Sequence, residues 1–325
     1  EKFLEHEKSK PSDLIEIHNR PNYVKFLTHN TNTKLILYFH NDPLTMNGSR
    51  NLSERRDLLK KTHKLIFNSK WSRDRFIQSF NKFEIPENKL NVIYQSSKKV
   101  KINFNKKKKI ISFVGKLNSA KGYDLFGSAI LKILDKYKDW KAIVIGDEPR
   151  EKLTFQHKNL KILGFKSHKI VLNYFNVVSI SVVCSRWDEP FGRTSLEASS
   201  RGCALIISNK GGLPETTNHA LILKKLTSKE IFNKIEFLIK NKKKRQSLQK
   251  KNYNGFSFTH EFITSLQDNI RFDILKSRIF YINKINKNSK LKILHITNFN
   301  ERHNGRLFFN TGRRINNGFI RLGNS

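Results

Sequence analysis

The stretch Glu189-Pro190-Phe191-Gly192-Arg193-Thr194-Ser195-Leu196-Glu197 carries one carboxylate at each end of a Pro-Phe-Gly turn that opens a helix. On an uninterrupted helix, residues so spaced share roughly one face. Pro190 and Gly192 instead put Glu189 in a loop and Glu197 inside the helix. A loop carboxylate, unbonded main-chain N–H groups at a positive helix end and a helix carboxylate then face one crevice. A ligand with both hydroxyls and phosphates, such as a nucleotide-sugar, suits that combination.

Two other segments carry residues of the same kind. Gly115-Lys116-Leu117-Asn118-Ser119-Ala120-Lys121-Gly122 lies between an apolar strand pattern and a helical one. Its lysines can place positive charge on a diphosphate while the helix start offers N–H donors. The plainer alternative is a strand–turn–helix with solvated lysines. It is no P-loop, because the Gly-Lys-Ser/Thr order is missing. Gly211-Gly212-Leu213-Pro214-Glu215 follows the next strand and can admit close approach of backbone to ligand. The chain has no Asp-x-Asp pair and no His/Cys/Asp cluster at metal-ligand spacing, so a metal is not expected, and no cofactor is expected either.

The elements that must hold these residues alternate between strand and helix patterns, which argues for parallel sheets. Residues 14–18, 35–40, 64–68 and 90–94 read as strands, and Ser69 reads as the N-cap of a helix bearing Trp71, Phe76 and Ile77. With so few strands, residues 1–95 read as the C-terminal part of a Rossmann-like domain incomplete at its N-terminus. Residues 96–109 are polar and basic, a linker. From 110 to 275 a full doubly wound unit follows, with strands at 110–115, 142–146, 160–164, 178–183, 204–208 and 220–223. Leu125, Ala129, Ile130, Ile133, Leu134 and Tyr137 mark one helix face, and Thr227-Ser228-Lys229-Glu230 resembles a capping box. The motifs fall after strands, where such domains bind ligands. Residues 276–290 read as a second linker. Residues 291–325, opening with a strand at 292–297, read as the truncated start of a further domain. The chain begins on Glu1 and ends on Ser325, so a segment of a longer protein is expected.

At 325 residues, two cores are affordable by size, and the formal charge of +36 invites a nucleic-acid reading. Lysine is abundant everywhere, though, and neither Lys106-Lys107-Lys108-Lys109 nor Lys242-Lys243-Lys244-Arg245 is interleaved with aromatics as a stacking platform would be. Solvated faces are the first expectation and peripheral contact with an anionic membrane the second; nucleic acid is not expected. Cys184 and Cys203 lie in apolar stretches and read as small core residues. No apolar run reaches the length of a membrane span. Cytoplasmic residence, at the inner face of a membrane, is the expectation.

In order and spacing, Gly115-Lys116 with Lys121-Gly122, Val144-Ile145-Gly146-Asp147, Leu163-Gly164-Phe165, the Glu189-to-Glu197 motif and Gly211-Gly212-Leu213-Pro214-Glu215 resemble the family 4 retaining glycosyltransferases of the GT-B fold. Ile17-His18-Asn19-Arg20-Pro21 and Phe39-His40-Asn41-Asp42-Pro43 are local matches to the family's acceptor-side domain. The resemblance implies two Rossmann-like domains and transfer of a sugar from a nucleotide-diphosphate-sugar to a glycan or lipid-linked acceptor, in cell-envelope polysaccharide or lipopolysaccharide synthesis. Lys121, with Lys116 and Gly115, would hold the donor diphosphate. Lys116 departs from the Arg usual there, keeping the charge without the bidentate fork. Glu189 would meet sugar hydroxyls, and the backbone of Phe191, Gly192 and Arg193 the sugar and phosphates. Glu197 would bond the ribose, Gly164 and Phe165 would flank the base, and His40 would approach the donor sugar.

Positive charge from Lys116, Lys121 and the helix start would stabilise the departing diphosphate without a metal. The family's glycine-rich acceptor loop has no match here, so this segment is expected to bind nucleotide but transfer poorly. Two alternatives remain open. One is another GT-B enzyme, an epimerase or phosphorylase, distinguished by its product. The other is a basic nucleic-acid binder, whose affinity would fall steeply with salt.

Overall fold

The computed structural model describes residues 2–86, 88–151, 153–279 and 293–296. Two compact units are present: one is built on Glu1–Tyr94 and rejoined by the chain from Ile263 onward, and the other is Gln95–Phe262. Their sheets are parallel throughout.

The first unit contains α1 (Lys2–Ser9), β1 (Leu14–His18), α2 (Asn22–Asn30), β2 (Lys34–Phe39), α3 (Leu52–Lys61), β3 (Lys64–Phe67), α4 (Lys70–Ile77) and β4 (Leu90–Val92). Every residue of β1 is buried, so its alternation divides two covered faces and not core from water. Ile15 and Ile17 join the apolar cluster with Val24, Leu37, Phe39, Phe67 and Phe76. Glu16 and His18 take the other face. α3 starts on a full capping box between Asn51 and Glu54, and α4 on the Ser69 hydroxyl, which accepts from Ser72 N.

The second unit contains β5 (Lys108–Val114), α5 (Tyr123–Lys136), β6 (Lys141–Ile145), β7 (Leu160–Ile162), α6 (His168–Val177), β8 (Val178–Val183), α7 (Arg193–Ser200), β9 (Ala204–Ser208), β10 (Ala220–Leu223), α8 (Ser228–Lys240) and α9 (Lys242–Asn254). α10 (His260–Ile279) begins in this unit. Its sheet runs β10-β9-β8-β5-β6-β7. The chain steps outward from β5 through β6 to β7, then returns to the other side of β5 as β8. That reversal leaves a crevice at the carboxyl ends of β5 and β8, the place where open parallel sheets receive ligands. α5 buries Tyr123, Phe126, Ala129, Ile130, Ile133 and Leu134 against the sheet, as its period requires.

Three details depart from the sequence pattern. Thr227 caps α8 through Glu230 N, but the Glu230 carboxylate accepts from the amides of Lys224 and Lys225, so only half of the box closes. Lys107 is no solvated charge: its ammonium donates to the carbonyls of Phe175, Val178 and Arg201 at 2.8–2.9 Å. The strand expected at 292–297 exists as β11 (Ile293–Ile296) and pairs in parallel with β1, in the first unit's sheet. The rest of the expected further domain, residues 297–325, and most of the expected second linker lie outside the described residues.

Candidate active site

The loops after β5 and β8 are stitched together across the switch point. Ala120 O accepts from Arg186 N and Trp187 N at 2.9 and 3.1 Å, and Arg186 grips Asp124 of α5 with both arms at 2.6 and 2.7 Å. Asn118 Oδ1 accepts from Lys121 N at 3.0 Å and sets the turn that carries the lysine. Gly122 follows with φ 74°, and a Cβ there would stand 2.1 Å from Cys184 O. Only glycine allows that approach. The outcome is an ion pair across the crevice: Lys121 Nζ donates to Glu189 Oε1 at 2.5 Å.

The loop after β9 fixes Glu189 from the other side. Gly212 N donates to Glu189 O at 2.7 Å, and a Cβ on Gly211 (φ 59°) would lie 2.2 Å from the same oxygen. Beyond Pro190, Phe191 is buried edge-on against Phe258, so its main chain is the part left for a ligand. Gly192 is the N-cap of α7 and supplies no side-chain cap, which leaves first-turn N–H groups to be satisfied by another partner. Thr194 Oγ1 donates to Val114 O at 3.3 Å and seats this helix start at the end of β5.

Glu197 is buried on α7 and accepts from His168 Nε2 at 2.8 Å and Arg193 at 2.7 Å. Burial pushes its carboxyl up, but the His168 and Arg193 contacts outweigh that and bring it down to about 2. It is therefore a carboxylate at neutral pH. His168 is the residue sequence reasoning missed. It opens α6 shortly after Gly164 and Phe165, and no motif spacing connects it to Glu197; only the fold does.

Gly115 and Gly164 belong to the same edge. Gly115 N donates to Ile145 O and Gly146 N to Gly164 O, both at 3.0 Å, aligning the ends of β5, β6 and β7. A Cβ on either Gly115 or Gly164 would meet open space. Phe165 is exposed by 55% and Lys116 is exposed. The structure thus puts Gly115, Lys116, Lys121, Gly164, Phe165, Glu189, Phe191, Gly192, Arg193 and Glu197 on one carboxyl edge.

His40 belongs to the first unit, just past the end of β2. Its Nε2 lies 3.0 Å from His18 Nδ1, its N donates to Asn19 Oδ1, and its O accepts from Asn68 Nδ2. His18, Tyr38 and His40 stack, with His18 and Tyr38 centroids 4.3 Å apart. Beneath them Glu16 accepts from Tyr38 Oη at 3.0 Å and from Arg271 Nε at 2.8 Å. Burial would raise the Glu16 carboxyl, but the Arg271 guanidinium holds it well below the ordinary range. Burial also brings the His18 imidazole down to about 4, against the pull of Glu16. His18 is therefore neutral at pH 7.

Residues 95–255 match the family model "Glycosyl transferases group 1". The 2-deoxystreptamine N-acetyl-D-glucosaminyltransferase of Niallia circulans is 34% identical over 34% of this chain and 30% of its own length. The lipopolysaccharide 1,2-N-acetylglucosaminetransferase of Salmonella typhimurium is 22% identical over 73% of this chain and 66% of its own. The chain spans 58, 42 and 30% of the lengths of three curated relatives, two of them from Bacillus subtilis. Among solved structures, Anabaena HepE in complex with UDP-glucose superposes with a TM-score of 0.65 at 17% identity, over 85% of this chain and 81% of that one. The fold is GT-B.

Proposed function

We propose that this chain, whose residues 95–255 form a glycosyl transferases group 1 domain, moves a sugar from a nucleoside-diphosphate-sugar to a glycan or lipid-linked hydroxyl. Transfer proceeds with retention and without a metal ion, in cell-envelope polysaccharide or lipopolysaccharide synthesis. The observation that carries the reading is the Lys121–Glu189 pair spanning the switch point beside an uncapped helix start. A cation for phosphate, a carboxylate for hydroxyls and N–H donors for anionic oxygen are there within one stitched set of loops.

The chemical task is to break the bond between the anomeric carbon and phosphate oxygen while negative charge grows on the departing diphosphate. Lys121, Lys116 and the start of α7 stabilise that charge. Glu197 accepts from the ribose, displacing one of its two present donors, and Phe165 flanks the base. Glu189 accepts from sugar hydroxyls and orients the ring. The acceptor hydroxyl attacks on the face the leaving group vacates and gives its proton to the diphosphate. The relatives' acceptors point to a glycan or lipid-linked partner, and lysine-rich faces suit a cytoplasmic location against an anionic membrane. No described helix is long and apolar enough to cross a membrane.

Calorimetric titration with UDP-, GDP- and ADP-sugars tests the reading. One donor class should bind, and Lys121→Ala should lose it. Absence of binding by every nucleotide-sugar defeats the assignment. Mass spectrometry of ligand co-purifying with the protein then identifies the base and sugar. Product analysis separates transfer from epimerisation or phosphorolysis.

A further inference from the structure

We propose that Glu189 is a specificity-determining residue: its ion pair with Lys121 is an exchangeable latch that selects sugar-bearing nucleoside diphosphates over the free diphosphate. The inference rests on the reading of both residues as donor-site groups and adds how the site tells donor from spent product.

The backbone at both ends of the latch is fixed. Lys121 is set by Asn118 Oδ1 and by the packing of Gly122 on Cys184, and Glu189 by the Gly211–Gly212 loop. Side-chain torsions are then the least costly response to a ligand. The lysine is the partner made to move, being a point charge on a flexible stem. Glu189 keeps only 13% of its side-chain surface in contact with solvent, against 30% for Lys121. The cation bonded to Glu189 is Lys121, while the neighbouring Lys210 stands 3.9 Å from Asp188.

An arriving diphosphate competes with Glu189 for the ammonium. If it wins, Glu189 becomes a largely enclosed carboxylate facing a second anion, an unfavourable arrangement unless new donors reach it. A sugar on the diphosphate brings hydroxyl donors to that point, and the free diphosphate brings none. Glu197 differs, because two donors hold it and it can exchange one without being stripped. After transfer the sugar hydroxyls leave with the product, Glu189 recaptures Lys121, and the spent nucleotide is expelled.

The full chain is titrated with UDP, UDP-glucose, GDP and GDP-mannose, as wild type and as Glu189→Gln and Glu189→Asp. Removing the latch should tighten binding of the free diphosphate by about fivefold, the scale of a partly exposed ion pair. The sugar-bearing ligand should gain less or lose affinity, so the ratio of the two constants falls. Glu189→Asp, which draws the carboxylate back by one methylene and weakens its hold on the ammonium, should move the same way to a smaller degree and serves if the glutamine variant misfolds. Free-diphosphate affinity that stays level or weakens in folded variants removes the latch and leaves the donor site standing. A wild-type chain that binds none of the four probes removes both.

Discussion

Glu16 in the first unit and Glu189 in the second each hold a cation at close range, yet their surroundings differ. Glu16 and Arg271 are 0% and 1% exposed, and Tyr38 and Asp268 complete their hydrogen bonds. Each guanidinium nitrogen of Arg271 and both oxygens of Glu16 have a protein partner, the condition under which buried charges are tolerated. Glu189 and Lys121 are 13% and 30% exposed, on loops at a carboxyl edge. The first pair is wired into the packing; the second stands where solvent reaches it, as the proposed exchange with a ligand requires. Burial, and not distance, is what separates the two pairs.

The contrast can be broken experimentally, beginning with the largest effect. On the proposed reading Lys121 faces the departing diphosphate, so Lys121→Ala in the intact enzyme should reduce nucleotide-sugar turnover by about a hundredfold or more and should barely move the melting temperature. Arg271→Met should do the opposite. It strands a buried carboxylate and costs about 3–5 kcal/mol in chemical denaturation, while the Glu16→Met/Arg271→Met double variant recovers most of that. A single variant as stable as wild type would show that Glu16 reaches water after all.

A smaller effect concerns pH. His18 titrates near 4 in the folded chain against an ordinary 6.5, so between those values the unfolded state binds the extra proton. Stability should therefore fall as pH drops from 6.5 toward 4, by up to about 1.4 kcal/mol per unit, and His18→Phe should flatten that slope. Glu197, ordinarily near 4.5 and about 2 when folded, adds a further loss below 4.5. Smallest is Tyr38→Phe, which removes one hydrogen bond to Glu16 and should cost about 1 kcal/mol, measured by urea denaturation.

Much of the edge was legible in the sequence because turn chemistry is local. Pro190-Phe191-Gly192 forecasts a turn that opens a helix, and α7 begins at Arg193, directly after it. Apolar runs forecast both parallel sheets. What stayed hidden depends on distant partners. His168 meets Glu197 and Arg271 meets Glu16 only because sheets bring together residues with no shared pattern. Lys107 sits in a run of four lysines that reads as solvated, and the carbonyls that capture it come from Phe175, Val178 and Arg201. Glu230 has the right spacing for a full capping box, but the nearby amides of Lys224 and Lys225 compete for it and win.

The residue that neutralises Glu16 lies 255 positions downstream. During synthesis, Glu16 leaves the ribosome long before the Arg271 guanidinium exists to receive it. At the elongation rates of living cells, about 5–20 residues per second, the delay is about 13–50 seconds. Through that interval Glu16 has no buried guanidinium to pair with, so sealing β1 on both faces over its ionised form is costly until α10 is delivered.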